Sequence, residues 1–187
     1  MVWPLIDRTG AAWDDELRLV DRATEGDEDA FRILYSRYYS RVYAIAKGVV
    51  LDSEEAEDMA QEAFTLAFRN LRKFDRRSKF STWLFRIAVN RSIQQARNTR
   101  GRKRLVPLDE GAEAVPARAA EPTADPEIEA ALERLQPLDR AVITLFYWDE
   151  LSLNEIGDSL GCSANAAKTR LFRARERFRE AYEESAQ

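Results

Sequence analysis

The 187-residue sequence contains no histidine and a single cysteine, Cys162. Without histidine it has no Ser-His-Asp or Cys-His arrangement and no imidazole metal ligand, which excludes the commonest catalytic and metal-binding constellations. One cysteine cannot form an internal disulfide, and nothing else indicates an oxidising compartment. Enzymes as a class and metal sites built only from carboxylates stay open on composition alone.

Long apolar runs are also missing. No segment approaches the roughly 18 apolar residues of a membrane-spanning helix. The N-terminal stretch MVWPLIDRTGAAWDDE has no positively charged region followed by an apolar one, so we expect no secretory signal. The expected location is therefore the cytoplasm.

Charge is abundant but sorted into blocks. The formal net charge is −4, yet residues 69–104 hold 13 basic residues and one acid, Asp75. A second basic block, residues 168–179, has six basic residues and one acid, whereas residues 52–62 carry six carboxylates and no base. A single block of this kind usually forms a solvated helix face. Two basic blocks attached to specific patterns favour a nucleic-acid partner, with an acidic face left for something else.

Apolar residues recur at intervals of three and four, and no strand-like alternation occurs. We therefore predict an all-α protein with two small helical domains, at residues 14–100 and 127–187. Residues 101–126, which are acidic and rich in Ala and Pro, are predicted to form a flexible linker. We assign no role to the extension at residues 1–13.

Capping residues predict the helix boundaries of the first domain. Asp27 is placed to cap the second helix, and Asp52 with Glu55 fits a capping box at the start of the third. A fourth helix is predicted to start at a Ser81 or Thr82 cap and to run to about residue 99.

The third helix has two faces. Its apolar stripe, predicted to include Phe68, points to the core. The opposite face carries Asp58, Gln61, Glu62 and Thr65 at positions i, i+3, i+4 and i+7. This second face is interpreted as a docking site for a basic partner, with an ordinary solvated face as the alternative.

The stretch KFSTWLFRIAVNR, residues 79–91, combines aromatic and basic residues. Helical spacing predicts a core face made of Phe80, Leu84, Ile87 and Ala88. A second face carries Trp83, Arg86, Asn90, Gln94 and Arg97. The spacing does not assign Phe85 to either face. Stackable aromatics beside a basic track are typical of proteins that bind single-stranded nucleic acid. The candidate contacts in this loop and helix are Lys73, Arg76, Arg77, Lys79, Phe80, Trp83, Arg86, Asn90, Gln94 and Arg97.

The segment LSLNEIGDSLG predicts a helix-turn-helix. Ser152 and Glu155 fit a capping box, Gly161 is placed to end the short helix, and Ser163 to cap the last helix after a three-residue turn. In DNA-binding examples the second helix enters the major groove. Its polar face gives the candidate DNA contacts Asn165, Lys168, Thr169, Arg170, Phe172, Arg173 and Arg175. A helical bundle with a basic surface is the alternative.

Several of these segments together resemble a known family. In chain order they are DAFRILYSRYYSRVYAIA, EEAEDMAQEAFTLAFRNL, KFSTWLFRIAVNRSI, LDRAVITLFYWDELSLNEIGDSLG and KTRLFRARERF. They look like a bacterial RNA polymerase sigma factor of the sigma-70 superfamily, of the two-domain extracytoplasmic-function (ECF) type. The resemblance spans residues 17–182, apart from the linker.

The resemblance implies a transcription initiation factor that has no catalytic residue, metal or cofactor. The first domain would be similar to sigma region 2, with the Asp58, Gln61, Glu62 and Thr65 face on the clamp coiled coil of the polymerase's largest subunit. The loop and fourth helix would melt the minus-10 element, and the last helix of a region 4-like domain would recognise the minus-35 element. The flap region of the polymerase and an anti-sigma factor are further implied partners. The acidic linker would thread towards the RNA channel.

The linker is long enough for this arrangement. The two promoter elements lie about 25 base pairs apart, which is somewhat over two turns of roughly 34–36 Å each. The linker, at roughly 3.3–3.6 Å per residue, spans about 85–90 Å when fully extended.

Two other function classes are weaker candidates. A helix-turn-helix repressor or response-regulator output module explains the second domain but not the aromatic, basic loop or the acidic face. A nucleic-acid enzyme using residues 52–62 for a metal lacks a second carboxylate cluster to complete its site.

Overall fold

The structure is a computed structural model that describes residues 10–105, 125–147 and 151–185, with side chains described for 15–101 and for the latter two ranges. Within these ranges it contains eight α-helices, one short 3-10 turn and no strand, so the all-α prediction is confirmed. Most of the predicted linker and of the N-terminal extension lies outside the described residues. No helix in the described part is both long and apolar enough to cross a membrane.

The first four helices form what we call the N-terminal unit. They are α1 (Gly10–Thr24), α2 (Glu28–Val50), α3 (Ser53–Asn70) and α4 (Phe80–Leu105), with a 3-10 turn at Leu71–Lys73 after α3. The predicted caps are present. The carboxylate of Asp27 accepts a hydrogen bond from the Ala30 amide at 3.0 Å, and that of Asp52 accepts from the Glu55 amide at 2.8 Å.

The predicted capping box at Asp52 is only half formed. The Glu55 carboxylate accepts hydrogen bonds from the Gln95 amide at 3.2 Å and the Thr99 hydroxyl at 2.9 Å, both on α4. Glu55 therefore joins α3 to α4, because two side-chain donors of a packed helix are available to it.

Helix α4 is longer at both ends than the sequence predicts. The amide of Trp83 donates to the carbonyl of Lys79 at 3.1 Å, so the helix begins at Phe80, ahead of the predicted cap. It continues to Leu105, since Arg and Lys are good helix formers, cations are favoured at a helix C-terminus, and the first proline is Pro107.

The remaining helices form the C-terminal unit. They are α5 (Pro126–Arg134), α6 (Pro137–Tyr147), α7 (Leu153–Leu160) and α8 (Ala164–Ser185). The predicted capping box of Ser152 and Glu155 is present, and Gly161 ends α7 with a left-handed φ of 66°. The Ser163 hydroxyl accepts from the Ala166 amide at 3.2 Å. Helices α7 and α8 therefore form the predicted helix-turn-helix.

One apolar core runs through both units. Its largest fully buried side chains are Val20, Leu34, Val42, Ile45, Val49, Phe80, Leu84, Phe85, Val89, Val142, Leu145 and Ile156. Phe85, left unassigned above, is 1% exposed and lies under the Arg41 guanidinium, whose carbon is 4.8 Å from the ring centroid. The prediction for Phe68 is wrong: it is 47% exposed, because Ala67 occupies the core-facing position of that turn of α3.

A buried polar pair connects α1 to α2. The Tyr38 hydroxyl donates a hydrogen bond to the Glu16 carboxylate, and both residues are buried. Burial raises the pKa of the Tyr38 phenol well above its usual range, and the Glu16 carboxylate raises it further. The phenol therefore stays protonated and serves as a permanent donor to Glu16.

We predict that Tyr38→Phe lowers the free energy of unfolding by about 1–3 kcal/mol, because it leaves the buried Glu16 carboxylate without its donor. Tyr39→Phe on the same helix is the matched control and should change it by less than about 0.5 kcal/mol. Chemical denaturation of the three proteins measures both values. Equal stability of Tyr38→Phe and the wild type would contradict the assigned role of the pair.

Candidate nucleic-acid interface

Helix α4 has one buried and one exposed side. Phe80, Leu84, Phe85, Ala88, Val89, Ile93 and Ala96 are buried against α2 and α3. Arg86, Asn90, Gln94 and Arg97 are exposed, and Trp83 is half-buried beside them. We call Trp83, Arg86, Asn90, Gln94 and Arg97, together with Lys73, Arg76, Arg77 and Lys79 of the preceding segment, the basic α4 face. The helical spacing therefore places these five side chains on the solvent side.

Trp83 is held by other aromatic rings. Its ring centroid lies 5.4 Å from that of Phe74 and 5.8 Å from that of Phe80. Such tilted pairs stabilise beyond simple burial and fix the indole at the junction of loop and helix. One side of the indole is packed, and its remaining surface adjoins the exposed polar residues of α4.

The assignment of Phe80 to nucleic-acid contact does not fit the structure. Phe80 is 0% exposed and packs between Tyr38, Phe74 and Trp83. A base cannot stack on a ring that has no free surface. Phe80 therefore supports Trp83 from the core, and we leave it out of the basic α4 face.

Three cations of the basic α4 face have carboxylate partners. Arg76, whose φ of 60° lies in the left-handed region, contacts Asp21 of α1. Arg77 donates to Asp75 at 2.6 Å, and Lys79 lies 3.4 Å from Glu155 of α7. Ion pairs between exposed groups contribute little, about 0–1 kcal/mol, so a phosphate can replace these carboxylates at small cost.

The exposed side of α3 is acidic. Asp58, Gln61 and Thr65 are exposed, and the Thr65 hydroxyl donates to the Gln61 carbonyl at 2.9 Å. The Glu62 carboxylate, about one-third exposed, accepts a hydrogen bond from Arg91 of α4. We call these four residues the acidic α3 face, which lies on the opposite side of α3 from its core stripe.

The N-terminal half of α8 presents the predicted polar face to solvent. Asn165, Lys168, Thr169, Phe172 and Arg173 are exposed, Arg170 is half-buried, and Phe172 is 65% exposed. Opposite them, Ala167, Leu171 and Ala174 are buried. We call Asn165, Lys168, Thr169, Arg170, Phe172, Arg173 and Arg175 the α8 face. The exposed Phe172 ring offers an apolar surface among cations, which is able to contact a thymine methyl group.

Two arginines of α8 contact residues of α6. The Arg175 guanidinium stacks over Phe146 and Tyr147, with its carbon 4.9 and 5.2 Å from their centroids. Arg177 donates to the buried Asp139 carboxylate at 2.6 Å and so ties α8 to α6. Arg177, which lies in the second basic block, is therefore a structural residue.

The acidic segment at residues 52–62 does not assemble with other acids. In the part of the chain that the structure describes, no group of three or more Cys, Asp or Glu is arranged to hold a metal ion. The acidic α3 face is an open surface, which suits a macromolecular partner.

Comparisons with known proteins find similarity over both units. The family model of Sigma-70 region 2 matches residues 34–102, and that of Sigma-70, region 4 matches residues 126–178. The ECF RNA polymerase sigma factor SigW of Bacillus subtilis is 36% identical over 174 residues, covering 86% of this chain and 92% of SigW. The ECF RNA polymerase sigma-E factor of Escherichia coli is 34% identical over 175 residues, covering 84% and 89%.

Solved structures are similar as well. The sigma factor RpoE of Bartonella quintana, in complex with the anti-sigma factor NepR, gives a TM-score of 0.62 at 25% identity. That match covers 82% of this chain and 96% of RpoE. CnrH, in complex with the cytosolic domain of CnrY, gives a TM-score of 0.65 at 24% identity, covering 89% and 96%, and shows the shared fold.

We predict that Arg177→Ala lowers the free energy of unfolding by about 1–3 kcal/mol, because it leaves a buried carboxylate unpaired. The control is Arg173→Ala on the same helix, which should change stability by less than about 0.5 kcal/mol because the arginine is exposed. Thermal unfolding of both variants checks this. Equal melting temperatures would show that the contact with Asp139 contributes nothing.

Proposed function

This chain belongs to the sigma-70 family, as an ECF sigma factor, and we propose that its three surfaces carry three separate steps of promoter-specific initiation. It is a transcription initiation factor, which binds core RNA polymerase and directs it to promoters, and it is not an enzyme. The observation that carries the assignment is the two-sided α4, packed on one side and lined with Trp83 and polar or basic residues on the other.

The acidic α3 face is the surface for core polymerase. Asp58, Gln61 and Thr65 are exposed, and acidic residues 52–62 surround them without any base. A rigid helix presenting carboxylates fits a basic partner surface, here the clamp coiled coil of the largest subunit. The Arg91 contact holds Glu62 in one orientation, which reduces the entropy that docking would cost.

The basic α4 face opens the minus-10 element and holds its separated strand. A cationic track follows the phosphates while an aromatic ring stacks on unpaired bases, each stacked base contributing about 1–3 kcal/mol. Trp83 is the ring with free surface, and Arg86, Asn90, Gln94 and Arg97 continue the track along α4. The ion pairs of Arg76, Arg77 and Lys79 are exchanged for phosphates.

The α8 face recognises the minus-35 element. As the second helix of the helix-turn-helix, α8 enters the major groove with its N-terminal half, where Lys168, Thr169 and Phe172 are exposed. Lys168 and Arg173 suit guanine or phosphate, and Phe172 a thymine methyl. Arg175, stacked on Phe146 and Tyr147, is positioned to hold a backbone phosphate.

We propose a first domain at residues 14–100 and a second at residues 127–187, joined by the acidic linker. The helices run a few residues past these bounds, since α1 begins at Gly10, α4 ends at Leu105 and α5 begins at Pro126. The linker threads towards the RNA channel, and the C-terminal unit also contacts the polymerase flap. The protein works in the cytoplasm, where the polymerase is. An anti-sigma factor is a further partner, supported by the solved complex of RpoE with NepR.

Transcription with purified core polymerase tests the function. We expect a promoter-dependent transcript that needs both core and this protein, from promoters identified by sequencing transcripts after overexpression. If the protein alone binds duplex DNA tightly and gives no transcript with core, it is a helix-turn-helix repressor instead.

We predict that Lys168→Ala or Arg173→Ala weakens promoter binding by the assembled holoenzyme by about 1–3 kcal/mol and relaxes the minus-35 preference. Competition binding on promoters with single minus-35 substitutions measures both effects. Glu180→Ala, an exposed change near the other end of α8, is the control and should leave binding unchanged. Unaltered sequence preference in both variants would refute the role of the α8 face.

We predict that Trp83→Ala reduces strand opening while leaving core binding intact, whereas Asp58→Ala does the reverse, because the two side chains lie on different faces. A fluorescent base in the minus-10 element reports opening, and a labelled sigma factor reports core affinity. Circular dichroism verifies that Trp83→Ala stays folded, since Trp83 also packs on Phe74. Normal opening by a folded Trp83→Ala would contradict the role of the basic α4 face.

A further inference from the structure

The segment that joins α3 to α4, residues 71–79, is held by contacts at its start. Phe74 is buried, and its ring centroid lies 5.9 Å from that of Phe80 in the core. The next residue, Asp75, accepts hydrogen bonds on its carboxylate from the Arg77 amide at 3.2 Å and from Arg77 Nε at 2.6 Å. These contacts give the segment a defined conformation on both sides of the residue that lies between them.

That residue, Arg76, has a left-handed backbone conformation with a φ of 60°. For a residue that carries a Cβ atom this conformation costs free energy, and it persists only where the surroundings hold it. The Arg76 guanidinium forms an ion pair with the carboxylate of Asp21, which lies 55 positions earlier in the chain, on α1. The contact with Asp21 is therefore one of the constraints that keep Arg76 in this conformation.

Asp21 is itself fixed by the packing of α1. Leu19, Val20 and Ala23 of this helix are buried, so α1 cannot turn about its axis without exposing them. The side chains of the ion pair are both about half exposed, at 46% for Asp21 and 53% for Arg76. The carboxylate thus has a fixed position at the surface, where the arginine is able to leave it for another anion.

The two other carboxylates that pair with the basic α4 face differ from Asp21. Asp75 lies two residues from its partner within the same segment, so that pair is local. Glu155, the partner of Lys79, belongs to the C-terminal unit. Among the residues that the structure describes, Asp21 is the one carboxylate that pairs with this face from another helix of the N-terminal unit.

We propose that Asp21 is an internal substitute for a DNA phosphate at Arg76, and that it determines how tightly the basic α4 face holds a single strand. The inference rests on the proposed role of that face. A phosphate that binds Arg76 must displace Asp21, which then remains beside the new ion pair as an uncompensated negative charge. Asp21 therefore weakens the binding of every single strand by the same factor, because phosphates carry no sequence information.

A uniform penalty of this kind limits the occupation of the protein by unrelated DNA. Stacking on Trp83 and contacts with recognised bases add affinity for a promoter strand. An unrelated strand depends mainly on its phosphates and starts from a lower affinity. The same factor then leaves it mostly unbound at a concentration where a promoter strand still binds, which is how a repulsive element supports selective binding.

The test measures binding of fluorescent single-stranded oligonucleotides to holoenzyme assembled from core polymerase and each variant. One oligonucleotide carries the non-template minus-10 sequence of an identified promoter, and the other is oligo-dT of equal length. Asp21→Asn should tighten the binding of both by about two- to fivefold, which is the range for loss of an exposed ion pair. The gain should decrease at high salt, where exposed charges are screened.

The salt dependence is a second readout, which a purely structural role of Asp21 would not change. Each phosphate that the protein neutralises contributes roughly −0.7 to the slope of log K against log salt concentration for a single strand. In the wild type the charge of Asp21 offsets the neutralisation at Arg76. Asp21→Asn should therefore make the slope steeper by up to about 0.7.

Three matched variants separate the ion pair from general effects of charge. Asp15→Asn, on the same helix, removes a carboxylate that pairs with Arg37 at 2.9 Å outside the basic α4 face, and it should leave both affinities unchanged. Asp21→Glu keeps the charge and should bind as the wild type does. In an Arg76→Gln background Asp21→Asn should have little effect, because no cation remains there for the phosphate to gain.

Unchanged or weaker binding of both oligonucleotides by Asp21→Asn overturns the inference and leaves the proposed function intact. An equal gain from Asp15→Asn overturns it too, because the effect would then follow the net charge and not the ion pair. If the wild-type holoenzyme binds the promoter strand no more tightly than oligo-dT, the proposed function of the basic α4 face is wrong, and so is the inference that rests on it.

Discussion

The arrangement of the charged surfaces depends on which side of α4 faces the core. Burial of one row of its side chains fixes this orientation. Phe80, Leu84 and Ala88 have no exposed surface and pack against α2 and α3. Fully burying a side chain such as Phe or Leu contributes about 1.5–3 kcal/mol. A rotation that exposed this row would therefore cost a large fraction of the roughly 5–15 kcal/mol by which a typical domain is stable. Because the buried row cannot turn outward, Arg86 and Asn90 must face solvent. The surface that we propose to hold separated DNA is thus a consequence of core packing.

Helices α3 and α8, like α4, have a buried apolar side and an exposed charged side. Carboxylates collect on the open side of α3, and cations collect on α4 and on the N-terminal half of α8. A net charge of −4 would repel DNA if it were evenly distributed, whereas these blocks give each proposed partner a surface of opposite sign. The inward sides of these helices meet in one core, so one chain presents separate surfaces for its different partners.

Local signals explain what the sequence could predict. Caps such as Asp27 and Ser152 act on amides three residues away, and apolar spacing identifies Leu84 and Ala167 as buried. Capping and spacing do not predict features that depend on residues distant in the chain. Glu55 turns to α4, and Arg177 is held by Asp139, each decided by which residue another helix brings near. Phe68 differs, because adjacent Ala67 and Phe68 compete for one core-facing position, which spacing alone does not resolve. The contact between Gly48 and Thr144 joins residues 96 positions apart, which periodicity cannot reveal.

The most direct test of the account is a photo-crosslinking map of the open complex, with a benzophenone side chain placed at Asn90 or at Phe172 of the holoenzyme. We expect position 90 to crosslink to the non-template strand within the minus-10 element and position 172 to crosslink to duplex DNA at the minus-35 element. Crosslinks from position 90 to the template strand alone, or from both positions to one element, would contradict it.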